Sequence, residues 1–362
     1  MNNKVYFTPG PSELYPTVAQ HLQEAMTQKI GSISHRSKQF QEIYASAESG
    51  LRELLQLPDE YEVLFVASAT EVWERAIQNN VRRESFHLVN GSFSKRFYET
   101  AQELGREAHV HEVPFSQGFH VESITIPETT ELVALIQNET SSGTSMTVEE
   151  IDQIRDKTPA DALVYVDAVS SLPYPAFDYS RVDSVYFSVQ KCFGLPAGLG
   201  VWLVNDRCLA KARELQEEGL SIGSYHTLPS LLEKALQSQT VETPNVLNIY
   251  LLAKVVTDMN QKGAEQIRQE TEAKAARIYT FLEQSKLFAP AVEQPAHRSK
   301  TTIVANTTMP ASEVNKHLAQ YDLQVGSGYG KYKETQIRIA NFPAHSMEQV
   351  EQLLEKLKEL GS

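Results

Sequence analysis

The sequence predicts an α/β fold, with a large doubly wound, mostly parallel sheet followed by a smaller C-terminal α+β domain. Three observations carry this. From residue 16 to about 215, short and nearly continuous apolar runs alternate with helix-like stretches, as in a parallel sheet covered on both faces. After Pro244 the texture changes to a long amphipathic stretch with few strand-forming residues. The chain is also 362 residues long, more than one small core organises.

Taken in order, Thr8-Pro9-Gly10-Pro11 cannot be regular structure, so the arm 1–15 is expected to lie over another part of the molecule. Strands are expected at 63–67, 86–90, 108–113, 132–137, 162–167, 184–189 and 200–204. Helices fall between them. One covers 71–80, with Thr70 in the N-cap position. Another begins at Thr147, where Glu150 completes capping-box spacing. The stretch 247–285, interrupted at Lys262-Gly263, reads as a connecting helix pair. Short strands at 301–305 and 336–340 follow, and a closing helix enters at Ser346 with Gln349 three residues on. A large domain 16–250 and a small domain 251–362 are the expected division.

Composition narrows the function. A net charge of −13 argues against binding nucleic acid through its phosphates and means that any anionic ligand needs a local cationic site. Two cysteines, Cys192 and Cys208, are too few for a disulfide framework. No apolar run approaches the roughly 20 residues that cross a bilayer, and Met1-Asn2-Asn3-Lys4 opens no secretory signal, so a cytoplasmic protein without membrane contact is expected.

The chemistry is expected at strand ends. Asp167 closes one apolar run, and Lys191 follows Ser188-Val189-Gln190 after another. In an open α/β sheet both would reach the crevice at the carboxyl edge. A lysine amine that condenses with an aldehyde, and an acid that keeps a pyridine nitrogen protonated, are what pyridoxal 5'-phosphate requires; alone, the pair also reads as solvated strand ends. Ser68-Ala69-Thr70 precedes a helix, whose first-turn N–H groups suit a phosphate. Phe93, after Asn90-Gly91-Ser92, can stack on a heterocycle or simply lid the core, and Val169 would pack the opposite ring face. Asn138-Glu139-Thr140 forms a polar turn or, functionally, sets Thr140 by the ring hydroxyl and Asn138 by the substrate.

In chain order these pieces resemble the class V, fold-type I pyridoxal-phosphate aminotransferases, in the phosphoserine and alanine–glyoxylate/serine–pyruvate branch. The matching segments are Thr8-Pro9-Gly10-Pro11, Ser34-His35-Arg36-Ser37, Asn90-Gly91-Ser92-Phe93, Asn138-Glu139-Thr140, Val166-Asp167-Ala168-Val169-Ser170-Ser171, Gln190-Lys191, Glu242-Thr243-Pro244 and Arg338-Ile339. The resemblance implies that Lys191 is the Schiff-base lysine and proton shuttle, and that Asp167 pairs with the pyridine nitrogen. It places Thr140 and Ser188 near the ring, Gln190 near the phosphate, and Ser68, Ala69 and Thr70 around it. Thr243 would close that cup from the partner of a homodimer, with His35 and Arg36 also shared across the interface. Arg338 would grip the substrate α-carboxylate, and Gly10 and Asn138 would line the substrate site. The reaction implied is a ping-pong transamination between amino acids and 2-oxo acids.

Substrate is less decided by the resemblance. Ser34-His35-Arg36-Ser37-Lys38 resembles the segment that grips the phosphate of phosphoserine. The His-Arg pair usual before the carboxylate arginine is replaced by Gly326-Ser327-Gly328-Tyr329-Gly330-Lys331-Tyr332-Lys333, closer to the alanine–glyoxylate branch. Lys331 and Lys333 would then supply the charge, as point charges in place of a fork. Phosphoserine:2-oxoglutarate transamination in serine biosynthesis is the expectation, with alanine–glyoxylate or serine–pyruvate exchange as the alternative. Other classes fit less well. Gly194–Gly200 precedes a strand where a dinucleotide fingerprint follows one, and the 326–331 segment lacks the P-loop pattern. No metal site is expected, because His109, His111 and His120 have no evident companion ligand. A cysteine desulfurase needs a cysteine in a late loop, and none follows Cys208.

Overall fold

The computed structural model describes residues 4–361. Seven strands form the large sheet, in the spatial order Tyr61–Val66, Gly200–Asn205, Ser184–Ser188, Leu163–Asp167, Leu132–Ile136, Glu84–Val89, Glu107–Glu112. All run the same way except Gly200–Asn205, which pairs antiparallel with both neighbours. Every residue of the four strands Leu132–Ile136, Leu163–Asp167, Ser184–Ser188 and Gly200–Asn205 is buried, which is why they read as unbroken apolar runs. Glu107–Glu112 departs from that expectation. It is a charged, half-exposed edge strand, the usual protection against edge-to-edge pairing.

The helix after the first large-sheet strand begins earlier than the sequence suggested. Ser68, not Thr70, is its N-cap, and the Ser68 hydroxyl accepts the Glu71 N–H. Ala69, the best helix former, therefore becomes the first helical residue of Ala69–Asn80. The capping boxes at Thr147/Glu150 and Ser346/Gln349 form as spaced. The long amphipathic stretch is the pair Val246–Lys262 and Ala264–Gln284, broken at Gly263. Ile249, Leu252, Val255, Val256 and Met259 of the first helix are buried in the larger core, whereas Ala275, Ile278 and Leu282 of the second belong to the smaller one. Ile267 of the second helix still joins the larger core, so the change from one core to the other falls within that helix, between Ile267 and Ala275.

The second sheet has the order Val5–Phe7, Leu323–Ser327, Gln336–Ala340, Thr302–Thr307, Phe288–Pro290. Its first strand comes from the N-terminal arm, paired parallel so that Phe7 faces Val325, with Phe7 fully buried. Beyond this strand the arm runs back to the large domain, where the Ser12 N–H donates to the Gln190 carbonyl (3.1 Å) and the Tyr15 N–H to that of Gly194 (2.8 Å). Among the described residues, no helix is long and apolar enough to cross a membrane.

Candidate active site

Strand order decides where side chains can meet. Glu84–Val89 leads outward to Glu107–Glu112, whereas Leu132–Ile136 and the strands after it build in the opposite direction. A crevice opens at such a reversal, at the carboxyl ends of the strands. Five connections enter it, carrying Ser68–Thr70, Phe93, Asn138–Thr140, Asp167–Val169 and Ser188–Lys191.

Lys191 lies at its centre, 8% exposed. Its Nζ donates to Thr140 Oγ1 (2.9 Å) and lies 5.3 Å from the centre of the Phe93 ring. Burial pulls the amine down to about 8, against the opposing attraction of Asp167. The arm passes directly over it, for a Cβ on Gly10 would lie 2.9 Å from Lys191 Cε, and the positive φ of Gly10 (138°) also favours glycine. Thr140 Oγ1 donates to Ser170 Oγ (2.8 Å), which also receives Asn138 Nδ2 (2.7 Å), so one hydroxyl sets both.

Asp167 is 4% exposed and accepts from the Val169 N–H (3.0 Å) and from Trp73 Nε1 (3.2 Å). Burial pushes its carboxyl up to about 6, although the Val169 N–H, the Lys191 charge and the Trp73 N–H favour the anion. At the helix entrance the Ala69 N–H goes to Ser188 Oγ (2.8 Å) and the Glu71 N–H to Ser68, while the Thr70 N–H has no acceptor among the described residues. Beside Lys191, Gln190 Oε1 is buried without a partner. An open first-turn N–H at Thr70, a desolvated amine and a buried acid are groups that pyridoxal phosphate needs, so the residues present fit the cofactor. Arg338 spends two of its five N–H donors, Nε on the Ser327 carbonyl (2.8 Å) and Nη1 on that of Thr140 (3.4 Å).

Other expected residues make their contacts elsewhere. Arg36 donates to Gln239 Oε1 (2.7 Å) and to the carbonyls of Thr240 (2.8 Å) and Val241 (3.2 Å), next to the exposed Thr243, while burial and the Arg36 charge lower the neighbouring His35. Lys331 and Lys333 are exposed, with Lys331 Nζ 5.2 Å from the Tyr332 ring centre. His109 does have acidic companions, contrary to the sequence reading: Glu107 stands two residues before it on the same strand and Glu84 on the neighbouring strand, in an ion-pair cluster with Arg83.

Four contributors were missed. Trp73 orients Asp167, and Ser170 joins Asn138 to Thr140. Tyr329 lies between Phe93 (ring centres 5.3 Å apart) and the Arg338 guanidinium (5.4 Å). The fully buried Glu139 accepts the N–H groups of Phe93 (3.4 Å) and Ser94 (2.9 Å), anchoring the helix Ser92–Glu103 that presents Phe93. Glu139 had a local signal in its place between Asn138 and Thr140, and Ser170 had one in its place three residues past Asp167. A Cβ on Gly91 would sit 2.3 Å from Glu139 Cγ. Gly91→Ala should therefore cost about 1–3 kcal/mol, seen as a lower midpoint in thermal unfolding; an unchanged midpoint would mean that Glu139 moves aside freely.

The family model for "Aminotransferase class-V" matches residues 5–359. The chain belongs to the class-V aminotransferases. Like them it is a pyridoxal-phosphate-dependent transaminase, and it has the fold that the sequence predicted. The solved structure of a phosphoserine aminotransferase from Cytophaga hutchinsonii is 62% identical, with TM-score 0.98 and 99% of each chain covered. A phosphoserine aminotransferase of Rhodococcus opacus is 31% identical over 96% of this chain and 92% of its own length. The alanine–glyoxylate aminotransferase of Nostoc sp. shares the fold (TM-score 0.80, 99% of this chain and 95% of the other covered) at 20% identity.

Proposed function

We propose that this class-V aminotransferase is a cytoplasmic homodimer that exchanges the amino group of phosphoserine with 2-oxoglutarate. The observation that carries the reading is 62% identity over 99% of the chain to the Cytophaga hutchinsonii phosphoserine aminotransferase. When bound, pyridoxal phosphate supplies the electron sink that stabilises negative charge at the substrate Cα. The chain's residues do the rest. Lys191, held by Thr140 and lowered toward neutrality, takes and returns the proton at that carbon. Asp167 holds a proton on the ring nitrogen by staying ionised beside it. Phe93 and Val169 flank the ring plane, and Ser68, Ala69 and Thr70 receive the phosphate at a helix N-terminus, with Ser188 and Gln190 alongside. Arg338 grips the α-carboxylate, fixing the Cα–H bond relative to Lys191, with Gly10 and Asn138 lining the substrate side.

Thr243, His35 and Arg36 are read as parts of the partner's site. Arg36 holds the carbonyls of Thr240 and Val241, two residues before Thr243, so the three residues belong to one patch. The patch, with Lys331 and Lys333, offers cations to the substrate phosphate. The free, buried Cys192 and Cys208 suit a reducing compartment.

A half-reaction titration tests the substrate. Holoenzyme is mixed with phosphoserine, alanine or serine while the cofactor absorbance is followed. Rapid change with phosphoserine alone is expected. Change with alanine or serine while phosphoserine is inert would move the enzyme to glyoxylate or pyruvate chemistry.

A further inference from the structure

His226 has no part in the chemistry above, yet it is 3% exposed and flanked by two acids. Its Nδ1 bonds the Glu71 carboxylate and its Nε2 the Glu242 carboxylate (2.7 Å). Ionised carboxylates only accept, so a ring bonded to one through each nitrogen carries both protons and is an imidazolium. Glu71 belongs to the first turn of Ala69–Asn80, and its other oxygen accepts the Ala67 N–H (3.2 Å), so it braces the turn proposed to hold the phosphate. Glu242 immediately precedes Thr243, proposed to reach the partner's phosphate.

We propose that His226 is a positioning residue for both cofactor-phosphate cups of the dimer, tying the cup its chain builds to the threonine its chain contributes to the partner. This rests on the dimer and cofactor reading above. The charges that face the ring are Glu71 and Glu242, with Arg75 Nε behind Glu71 (3.4 Å); His35 neighbours Glu242, and the Tyr225 ring lies 4.1 Å away. The imidazolium offsets one of two carboxylates placed near a phosphate dianion. Burial alone would lower this histidine, but its bonds to Glu242 and Glu71 raise it to about 9. Because the proton is held more tightly in the folded protein, the bridge is intact at neutral pH and is lost as pH rises through about 9.

The test is cofactor retention, measured as pyridoxal phosphate released on dilution and ultrafiltration, with dimer mass checked by light scattering. H226Q dimers should hold cofactor about 10- to 100-fold more weakly, the effect of losing one charge-assisted bond. Wild-type retention should fall above pH 9, and the H226Q profile should be flat there. Hybrids of one wild-type and one variant chain, isolated with two affinity tags, separate the two halves of the bridge. In an H226Q hybrid both sites should release readily. In an E242Q hybrid, which spares the Glu71 contact, only the site that receives the altered segment should do so. H226Q hybrids that keep half their cofactor at wild-type strength overturn the shared role. Unmoved retention in H226Q, with a wild type that holds cofactor, overturns the inference alone. A wild type that holds none overturns the proposed function and the inference together.

Discussion

Replacing Lys191 by Ala is expected to lower transamination by about 10⁴-fold or more, because the same amine is proposed to attach the cofactor and to move the substrate proton. Lys191→Arg should be nearly as inactive, since a guanidinium keeps its proton at any working pH. The fold should not suffer. A buried amine held at about 8, where free lysine lies near 10.4, disfavours the folded state at neutral pH by on the order of 3 kcal/mol. Removing it relieves that cost, offset by the lost bond to Thr140. Cofactor-free Lys191→Ala should therefore unfold at or above the wild-type temperature while turning over no substrate. Turnover near the wild-type rate would show that another group does this work. Loss of turnover accompanied by a collapse in melting temperature would make Lys191 structural.

The parts of this arrangement that were legible in the sequence are the local ones. Apolar runs located the inner strands of the large sheet, because strands buried on both faces leave no alternation to misread, whereas the edge strand Glu107–Glu112 is charged and half-exposed. Ser346 with Gln349 and Thr147 with Glu150 gave helix starts, since capping is decided within four residues. Failure set in where a partner lies far along the chain. Val5–Phe7 is three residues long and becomes a strand only through its pairing with Leu323–Ser327. Trp73 and Asp167 meet only because Ala69–Asn80 packs by Leu163–Asp167, and His226 shows nothing until Glu71 and Glu242 converge on it. The Thr70 misassignment has a different origin. Ser68 and Thr70 are both good caps, and what decides between them is that Ser68, followed three residues later by Glu71, has its hydroxyl on the Glu71 N–H.

Asp167→Asn should reduce kcat by about 10²–10³-fold, the scale seen when a fixed electrostatic partner of a reacting group is removed. Asparagine has nearly the same shape but no charge with which to hold a proton on the ring nitrogen, whereas Asp167→Glu keeps the charge and should recover part of the rate. Stability supplies a second readout that does not depend on cofactor. The Asp167 carboxyl lies at about 6 in the fold and near 3.9 in an unfolded chain. A raised carboxyl contributes stability that is fully present below about pH 3.9 and lost as pH rises through about 6, because ionising it in place costs more than ionising it in water. Asparagine does not titrate. The stability difference between variant and wild type should thus shift toward the variant by on the order of 3 kcal/mol between pH 4 and pH 7. Its absolute value is offset by geometry, since one amide oxygen cannot accept from both the Val169 N–H and Trp73 Nε1, and the amide nitrogen would oppose a donor at about 1–3 kcal/mol. Denaturant unfolding of the two cofactor-free proteins across that range measures the shift. A pH-independent difference would mean that the carboxyl stays ionised throughout, held by Lys191 more strongly than burial opposes it.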